Sequence, residues 1–445
     1  MEQGFRVAFC TLGCKVNQNE TEALAGLFRE KGYEIVNFEE QADVYVINTC
    51  TVTHLADRKS RQMIRRALKV NPQAQVVVTG CYAQTNPAAI QKIAGVSLII
   101  GTNKKSRLVD LVEELLTKKA SGTDKRLPSV FVRKYQETQE FEEMTGEKKI
   151  ERARAYLKVQ EGCDQFCSYC IIPYARGPVR SRSVENTLAE AERLIEAGFK
   201  EIVLLGIHLG AYGREAGAGK NLVFLLKQLL PLTEQVRWRL GSLEPVEVSA
   251  ELLELMQSYQ NFCPHLHLPL QSGHDQILKA MRRPYSTGQY LEIISGIREK
   301  IPEIALTTDV MVGFPGETEA HFQEYLKVVE RAAFSRLHVF KYSPRQGTPA
   351  AQFGGQVPSL VKEARSGKMM RLGEKLAKQY AEKFLERLVD VLVEEKVGEC
   401  TWEGSSSNYL KVRFNHAETL RGQIMPIRLK KIEKAYCFGE VFQIQ

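Results

Sequence analysis

Short aliphatic runs recur along the first 117 residues, and segments with helical spacing separate them. Residues 6–9, 44–48, 76–79 and 98–100 read as strands, and 20–31, 54–69 and 108–116 as helices. Strands this short and this uniformly apolar, alternating with helices, predict a parallel sheet covered on both faces. Residues 118–150 change character. KKASGTDKR and QETQEFEEMTGEKK are charged, turn-prone and poor in aliphatics, so a linker is expected there. The alternation resumes from residue 151, with strands expected at 156–160, 201–206, 237–242, 265–269, 305–310 and 336–340. Six such units predict a partial (β/α)6 barrel in an α/β chain, with chemistry at the C-terminal ends of its strands. A basic stretch at 362–383 closes this region at 383. Beyond it, 389–394, 409–414 and 427–434 alternate between Gly- and Ser-containing breaks, which predicts a small all-β barrel over 384–445.

Composition narrows the class. The chain has 445 residues, 44% hydrophobic and 26% charged, as a soluble globular protein would. MEQGFRVAFC has neither the basic nor the apolar region of a secretion leader, and the longest apolar runs, such as 203–205, are too short to span a bilayer. A cytoplasmic location with no membrane partner is expected, and there ten cysteines serve metals or catalysis more often than disulfides. The net charge of +8 alone is only weak support for a nucleic-acid partner.

Cys163, Cys167 and Cys170 form a C-x3-C-x2-C array within eight residues. Structural zinc normally takes four protein ligands, yet no Cys or His follows until His208. Three thiolates on a [4Fe–4S] cluster instead leave one iron open. Buried structural cysteines are the plainer reading, but Gly162 and Pro173 mark a loop rather than a core element. The array resembles that of the radical S-adenosylmethionine (SAM) enzymes, and the resemblance implies a cluster that chelates and cleaves SAM. Tyr169, just before the last cysteine, and Gly206, His208, Ser242, Glu244, Gln271, Asp309 and Gly313, in the turns after the barrel strands, are then the candidate SAM contacts. Each also suits an ordinary βα turn.

Cys14, Cys50 and Cys81 each follow an expected strand of the first region. Loops at the C-terminal edge of a parallel sheet converge, so these three could meet around one cluster. Residue type alone leaves buried thiols equally open. The stretches TLGCKVNQNETE, INTCTVT and GCYAQ, with the barrel array and the terminal β-domain in that order, resemble the methylthiotransferase family across nearly the whole chain. The resemblance implies that Cys14, Cys50 and Cys81 hold a second [4Fe–4S] cluster. It also implies a TRAM-type RNA-binding domain at the end, and an electron donor such as flavodoxin or ferredoxin. The substrate it implies is tRNA, modified at adenosine 37 beside the anticodon. TLGCKVNQ and NTCTVT resemble the branch acting on N6-threonylcarbamoyladenosine. The alternatives are the isopentenyladenosine branch, the branch acting on a ribosomal-protein aspartate, or a non-catalytic RNA-binding protein with structural metal sites. Cys10, Cys263, Cys400 and Cys437 are read as structural.

For RNA, Arg58, Arg61 and Arg65 share one helical face, Arg176 and Arg180 follow the cysteine array, and Lys411 and Arg413 lie in the β-domain with Trp402 and Tyr409 as stacking candidates. Lys15, Arg176 and Arg180 are the candidate cations for a substrate carboxylate.

Overall fold

The computed structural model describes residues 4–120, 128–137, 140–144, 146, 152–217 and 219–442. Its strands are β1 (Arg6–Thr11), β2 (Glu34–Val36), β3 (Val44–Thr49), β4 (Gln75–Gly80), β5 (Val96–Ile100), β6 (Ser129–Phe131), β7 (Ala155–Lys158), β8 (Gln160–Glu161), β9 (Arg180–Ser181), β10 (Glu201–Leu205), β11 (Arg237–Leu240), β12 (His265–His267), β13 (Ala305–Val312), β14 (Arg336–Lys341), β15 (Leu388–Lys396), β16 (Thr401–Ser406), β17 (Lys411–Asn415), β18 (Ile424–Glu433) and β19 (Tyr436–Val441). They form two compact units. The first comprises Met1–Lys149, Gln160–Arg182 and Ser343–Ala351; the second holds the remainder.

In the first unit six strands form a parallel sheet in the order β2-β1-β3-β4-β5-β6. Alternate residues of β3 serve two separate cores. Tyr45 and Ile47 pack with Ile64 and Val78 on one face, and Val44 and Val46 with Leu24, Phe28 and Val112 on the other. Burial on both faces is why these strands read as continuous apolar runs. Thr53 starts the helix His54–Val70 by accepting the Ala56 N–H at 3.1 Å. The chain passes from β1 outward to β2 and then returns to β3 on the other side of β1, which makes a topological switch point.

The expected linker is partly built into this unit. β6 pairs in parallel with β5, matching Leu98 to Ser129 and Ile100 to Phe131. Three exposed residues have no hydrophobic face to betray them; edge pairing alone makes them a strand. A Cβ on Gly146 would lie 2.7 Å from the Ala23 carbonyl, so that backbone also packs directly on the helix Lys15–Glu30.

In the second unit, β11-β10-β7 and β12-β13-β14 are two parallel sheets. Parallel bridges from Trp238 to Phe262 and from Ser242 to His267 join them, and Leu243 N–H donates to the His267 carbonyl at 3.0 Å. The result is the expected six-stranded partial barrel. The C-terminal strands close into a five-stranded barrel, β15-β16-β17-β19-β18. Of these, β16 and β19 were not legible as strands.

Buried charge holds this β-barrel to the N-terminal ends of the larger barrel's strands. Glu201, at the start of β10, accepts from Arg237 at 2.7 Å and Arg239 at 3.0 Å, with Arg154 at 3.4 Å. Arg237 donates onward to the carbonyls of Asp390 and Ser405, and Arg239 to those of Ser406 and Ser407. Arg154 also pairs with Glu394. Tyr409 lies 4.4 Å from the His265 ring with Arg239 over its face, and Trp402 is buried. Both aromatics proposed for RNA stacking are therefore occupied inside this unit.

Burial opposes ionisation of Glu201, but Arg239, Arg154 and Arg237 outweigh it and hold the carboxyl well below the usual range. Its stabilisation is therefore complete above the ordinary carboxylate range and is lost only as pH falls through that lowered value. Glu201→Ala should leave three buried guanidinium groups short of a partner and cost about 3–5 kcal/mol. Denaturant unfolding at neutral pH measures it, and a midpoint equal to that of the parent chain would show that the cluster does not hold the unit together.

Candidate active site

Cys14, Cys50 and Cys81 directly follow β1, β3 and β4, three adjacent strands spanning the switch point. Their spacing in sequence is wide, but sheet order makes their loops neighbours. Gly13, at φ +101, clears the space between two of them, since a Cβ there would sit 3.0 Å from the Cys50 Sγ. Gly80, at φ +94, lies so close to Asn48 and Thr49 that a Cβ would fall 2.5 Å from the Thr49 carbonyl oxygen. Cys14 is the N-cap of the helix Lys15–Glu30, and Cys50 shortly precedes His54–Val70. The positive ends of these helices favour thiolate.

The three thiols also feel one another. Burial above all, with charge on Cys81 and Cys14 adding to it and the Val52 backbone hydrogen bond and Arg176 opposing, pushes the Cys50 thiol up to about 11. Cys81 is raised by its burial, with Arg176 opposing. Cys50 and Cys81 are buried while Cys14 is exposed, and thiolates at the two buried positions would need a cationic partner or a bound metal to compensate them. A cluster with positive irons fits this donor set. No group of three or more His, Cys, Asp or Glu among the described residues closes on a single metal ion, and a cubane requires none because each thiolate takes its own iron.

The second triplet lies in the loop between β8 and the short helix Ile172–Arg176. β8 pairs with β9, and Cys163 N–H donates to the Gly177 carbonyl at 3.0 Å. Cys170 N–H donates to the Cys167 carbonyl at 2.9 Å, and Ala350 N–H to that of Ser168 at 2.8 Å. Gly162, at φ +76, is required where the strands close, because a Cβ would fall 1.8 Å from the Pro178 carbonyl oxygen. Cys163, Tyr169 and Cys170 are partly exposed and Cys167 is buried. This anchored loop packs within the same compact unit as the first triplet.

Arg176 and Arg180 do not face solvent. Arg176 is 1% exposed, and Arg180 is buried and donates to the Pro178 carbonyl at 2.8 Å. Arg176 Nε donates to the Cys81 Sγ at 3.2 Å, while Nη2 reaches the Asn17 Oδ1 at 2.5 Å. Its Nη1 meets Glu20 at 2.5 Å and Glu161 at 3.2 Å, and Glu20 also takes Lys105. The expected phosphate contact at Arg176 and Arg180 is corrected accordingly: burial withdraws both from a polyanion. A single arginine six residues beyond the array gave no sign of this in the sequence.

The barrel-mouth candidates divide. Glu244 pairs with Arg283, while burial and the nearby Glu247 raise its carboxyl against the opposing charges of Arg283 and His208. His208 is buried and bonds Glu247 at 2.7 Å. Gly206 ends β10 half-buried, and Ser242 is exposed after β11. Gln271 takes a left-handed backbone, φ +62, fixed by Gln271 N–H to the Asp309 carbonyl at 2.9 Å and by Tyr325 Oη to its own carbonyl at 2.7 Å. Asp309 lies 3.4 Å from the His267 Nε2, and His267 is edge-on to His338. These two histidines were missed, because the sequence was searched at turns and they lie on β12 and β14. Gly313 was expected to leave open space beside a bound SAM. Instead the stem of Lys362 fills that side, 2.4 Å from where a Cβ would stand.

Among the RNA candidates, Arg58 and Arg65 are exposed on His54–Val70, and Arg61 donates to the Tyr82 hydroxyl at 2.8 Å. Lys411 pairs with Glu394 and Arg413 with Glu403, with Arg413 also 3.8 Å over the Tyr436 ring. No helix among the described residues is long and apolar enough to cross a membrane.

Residues 6–101 match the Uncharacterized protein family UPF0004, and residues 157–329 the Radical SAM superfamily. A Bacillus subtilis (strain 168) protein named threonylcarbamoyladenosine tRNA methylthiotransferase MtaB is 42% identical, covering 98% of this chain and 96% of its own. A protein of Acetivibrio thermocellus named tRNA-2-methylthio-N(6)-dimethylallyladenosine synthase is 32% identical over 97% of this chain and 90% of its own. Among solved structures, the cobalamin-binding radical SAM methyltransferase TsrM of Kitasatospora setae superposes with a TM-score of 0.56 at 14% identity, covering 78% of this chain and 77% of its own, a likeness of fold alone. With two cysteine triplets, a partial barrel and full-length relatives of this kind, the chain belongs to the radical SAM tRNA methylthiotransferase family.

Proposed function

We propose that this protein adds a methylthio group to C2 of N6-threonylcarbamoyladenosine at position 37 of tRNA, in the cytoplasm. The observation that carries this reading is the pair of cysteine triplets in one compact unit, in a chain 42% identical to a threonylcarbamoyladenosine tRNA methylthiotransferase over 98% of its length. Cys163, Cys167 and Cys170 would hold the SAM-cleaving cluster, and Cys14, Cys50 and Cys81 the second one. When bound, the first cluster together with SAM would supply the 5′-deoxyadenosyl radical for an aromatic C–H bond too inert for acid–base chemistry, and sulfur carrying a SAM-derived methyl group would be delivered through the second. Electrons would come from a small donor such as flavodoxin or ferredoxin. Tyr169, the turns at Gly206, Ser242 and Gln271, and Asp309 on β13 are the proposed SAM contacts. His208 and Glu244 are assigned to shaping that end of the barrel through Glu247 and Arg283.

The protein's own residues hold and orient. Arg58 and Arg65 present charge for phosphates, each worth about one unit of log–log salt slope if it makes a true contact. Lys411 would exchange the half-buried Glu394 for phosphate at little cost, whereas Arg413 would have to leave the buried Glu403 without its partner. Among the cations considered for the threonylcarbamoyl carboxylate, Lys15 is the exposed one, beside Cys14, and we assign that role to it.

The triplets should separate under substitution. Cys167→Ala should abolish 5′-deoxyadenosine formation. Cys50→Ala should retain it without tRNA, lose methylthio transfer and lose about half the iron, one [4Fe–4S] cluster of two. A Cys50→Ala protein with full iron and full transfer would end the reading.

Substrate choice is tested with two anticodon stem–loops, one carrying threonylcarbamoyladenosine and one isopentenyladenosine. The first should be preferred. Lys15→Ala should lower its kcat/KM about tenfold or more, as loss of a charged hydrogen bond of about 1.5–3 kcal/mol implies, and leave slow turnover of the second unchanged. Preference for the isopentenyl substrate would instead favour the branch of the Acetivibrio relative.

A further inference from the structure

We propose that Arg176 is a positioning residue for the second cluster: its Nε–H donates to the Cys81 sulfur, and its guanidinium ties the SAM-cluster loop to that cluster's sheet edge. The inference rests on the assignment of Cys14, Cys50 and Cys81 to a cluster. It follows from where the side chain comes from and how it is held. Arg176 closes the short helix that begins two residues after Cys170, so it moves with the first triplet's loop. Its side chain is fully buried, and each nitrogen is used: Nε on Cys81, Nη1 on Glu20 and Glu161, Nη2 on Asn17. Glu161 lies at the head of the same loop, in β8, whereas Asn17 and Glu20 lie on the helix capped by Cys14. One guanidinium therefore bonds residues on both sides of the two triplets, including one ligand sulfur. A lysine could not reproduce this, because the planar fork reaches four partners in directions an ammonium cannot.

The hydrogen bond has an electronic consequence. N–H donors to ligand sulfur and nearby positive charge stabilise the more negative, reduced form of an iron–sulfur cluster and raise its reduction potential. Arg176 supplies both to Cys81. Two carboxylates, Glu20 and Glu161, face the same guanidinium, but each is engaged with it, and Glu20 also with Lys105. They anchor the cation without placing an uncompensated charge beside the sulfur.

The test isolates the second cluster. In a chain with Cys163, Cys167 and Cys170 all changed to Ala, iron is counted and the midpoint potential of the remaining cluster is read by a redox titration followed by electron paramagnetic resonance. Arg176→Gln should shift that potential to more negative values, and Arg176→Lys should restore it only in part, through charge without the Nε donor. Where Arg176→Gln fails to fold, the Lys variant decides. A cluster at the parent potential in Arg176→Lys overturns the inference, and a negative shift supports it. Loss of the cluster from a Lys variant that keeps the parent circular dichroism supports it as the extreme form of the same defect. If the triple-alanine parent itself binds no iron, the cluster assignment has failed, and not the role of Arg176.

Discussion

Negative charge packed into a dry space is the constraint around which the first unit is organised. Thiols on Cys14, Cys50 and Cys81 lie at the ends of three neighbouring strands, where two helix N-termini and a buried arginine face them. Without compensation, burial would keep such thiols protonated, and burial does push Cys50 and Cys81 upward. Arg176 provides the countercharge, and Glu20, Glu161 and Asn17 keep it in place. The same guanidinium belongs to the loop that carries the second triplet. Charge compensation and mechanical coupling are therefore one interaction here. A second buried arginine, Arg345 from the segment Ser343–Ala351, bonds Thr51, the residue after Cys50, at 2.8 Å and Asp57 at 2.5 Å.

The second unit follows a different rule. Its core is built from aliphatic and aromatic side chains, among them the fully buried Trp238, Tyr290 and Tyr325. At the N-terminal end, Glu201 and three arginines fasten the small β-barrel. At the C-terminal end, Asp309, His267, Glu244, Arg283 and His208 furnish polar groups. The buried ion cluster and the polar candidate residues thus sit at opposite ends of one barrel, and loops at the C-terminal ends of strands are where such barrels carry function.

The strands that were legible in the sequence were those with a buried face. β1, β3, β4 and β5 of the sheet and β7, β10 and β13 of the barrel announced themselves as apolar runs, whereas β11, β12 and β14 were marked by their regular spacing between helices and β15, β17 and β18 were legible in part. β2 and β6 are three-residue edge strands, and β16 and β19 carry Gly, Ser and Glu. Their pairing is decided by neighbours far away in the chain, which no local pattern records. The site was legible where spacing is local, in the C-x3-C-x2-C array. The other triplet is spread over 68 residues, and only the expected convergence of sheet-edge loops and the family resemblance marked it as a candidate, which the order of β1, β3 and β4 now brings to neighbouring loops. Arg176 was misread because sequence shows charge but not burial. At Gly313 the side a Cβ would take is filled by Lys362, a residue 49 positions away, which no local pattern records.

The central claim is that two separately held iron–sulfur clusters serve one chain. Iron and sulfide analysis with Mössbauer spectroscopy on the anaerobically reconstituted full chain tests it most directly. About eight irons per chain, all in [4Fe–4S] form, are predicted. About four irons, or zinc in place of iron at either triplet, would contradict it.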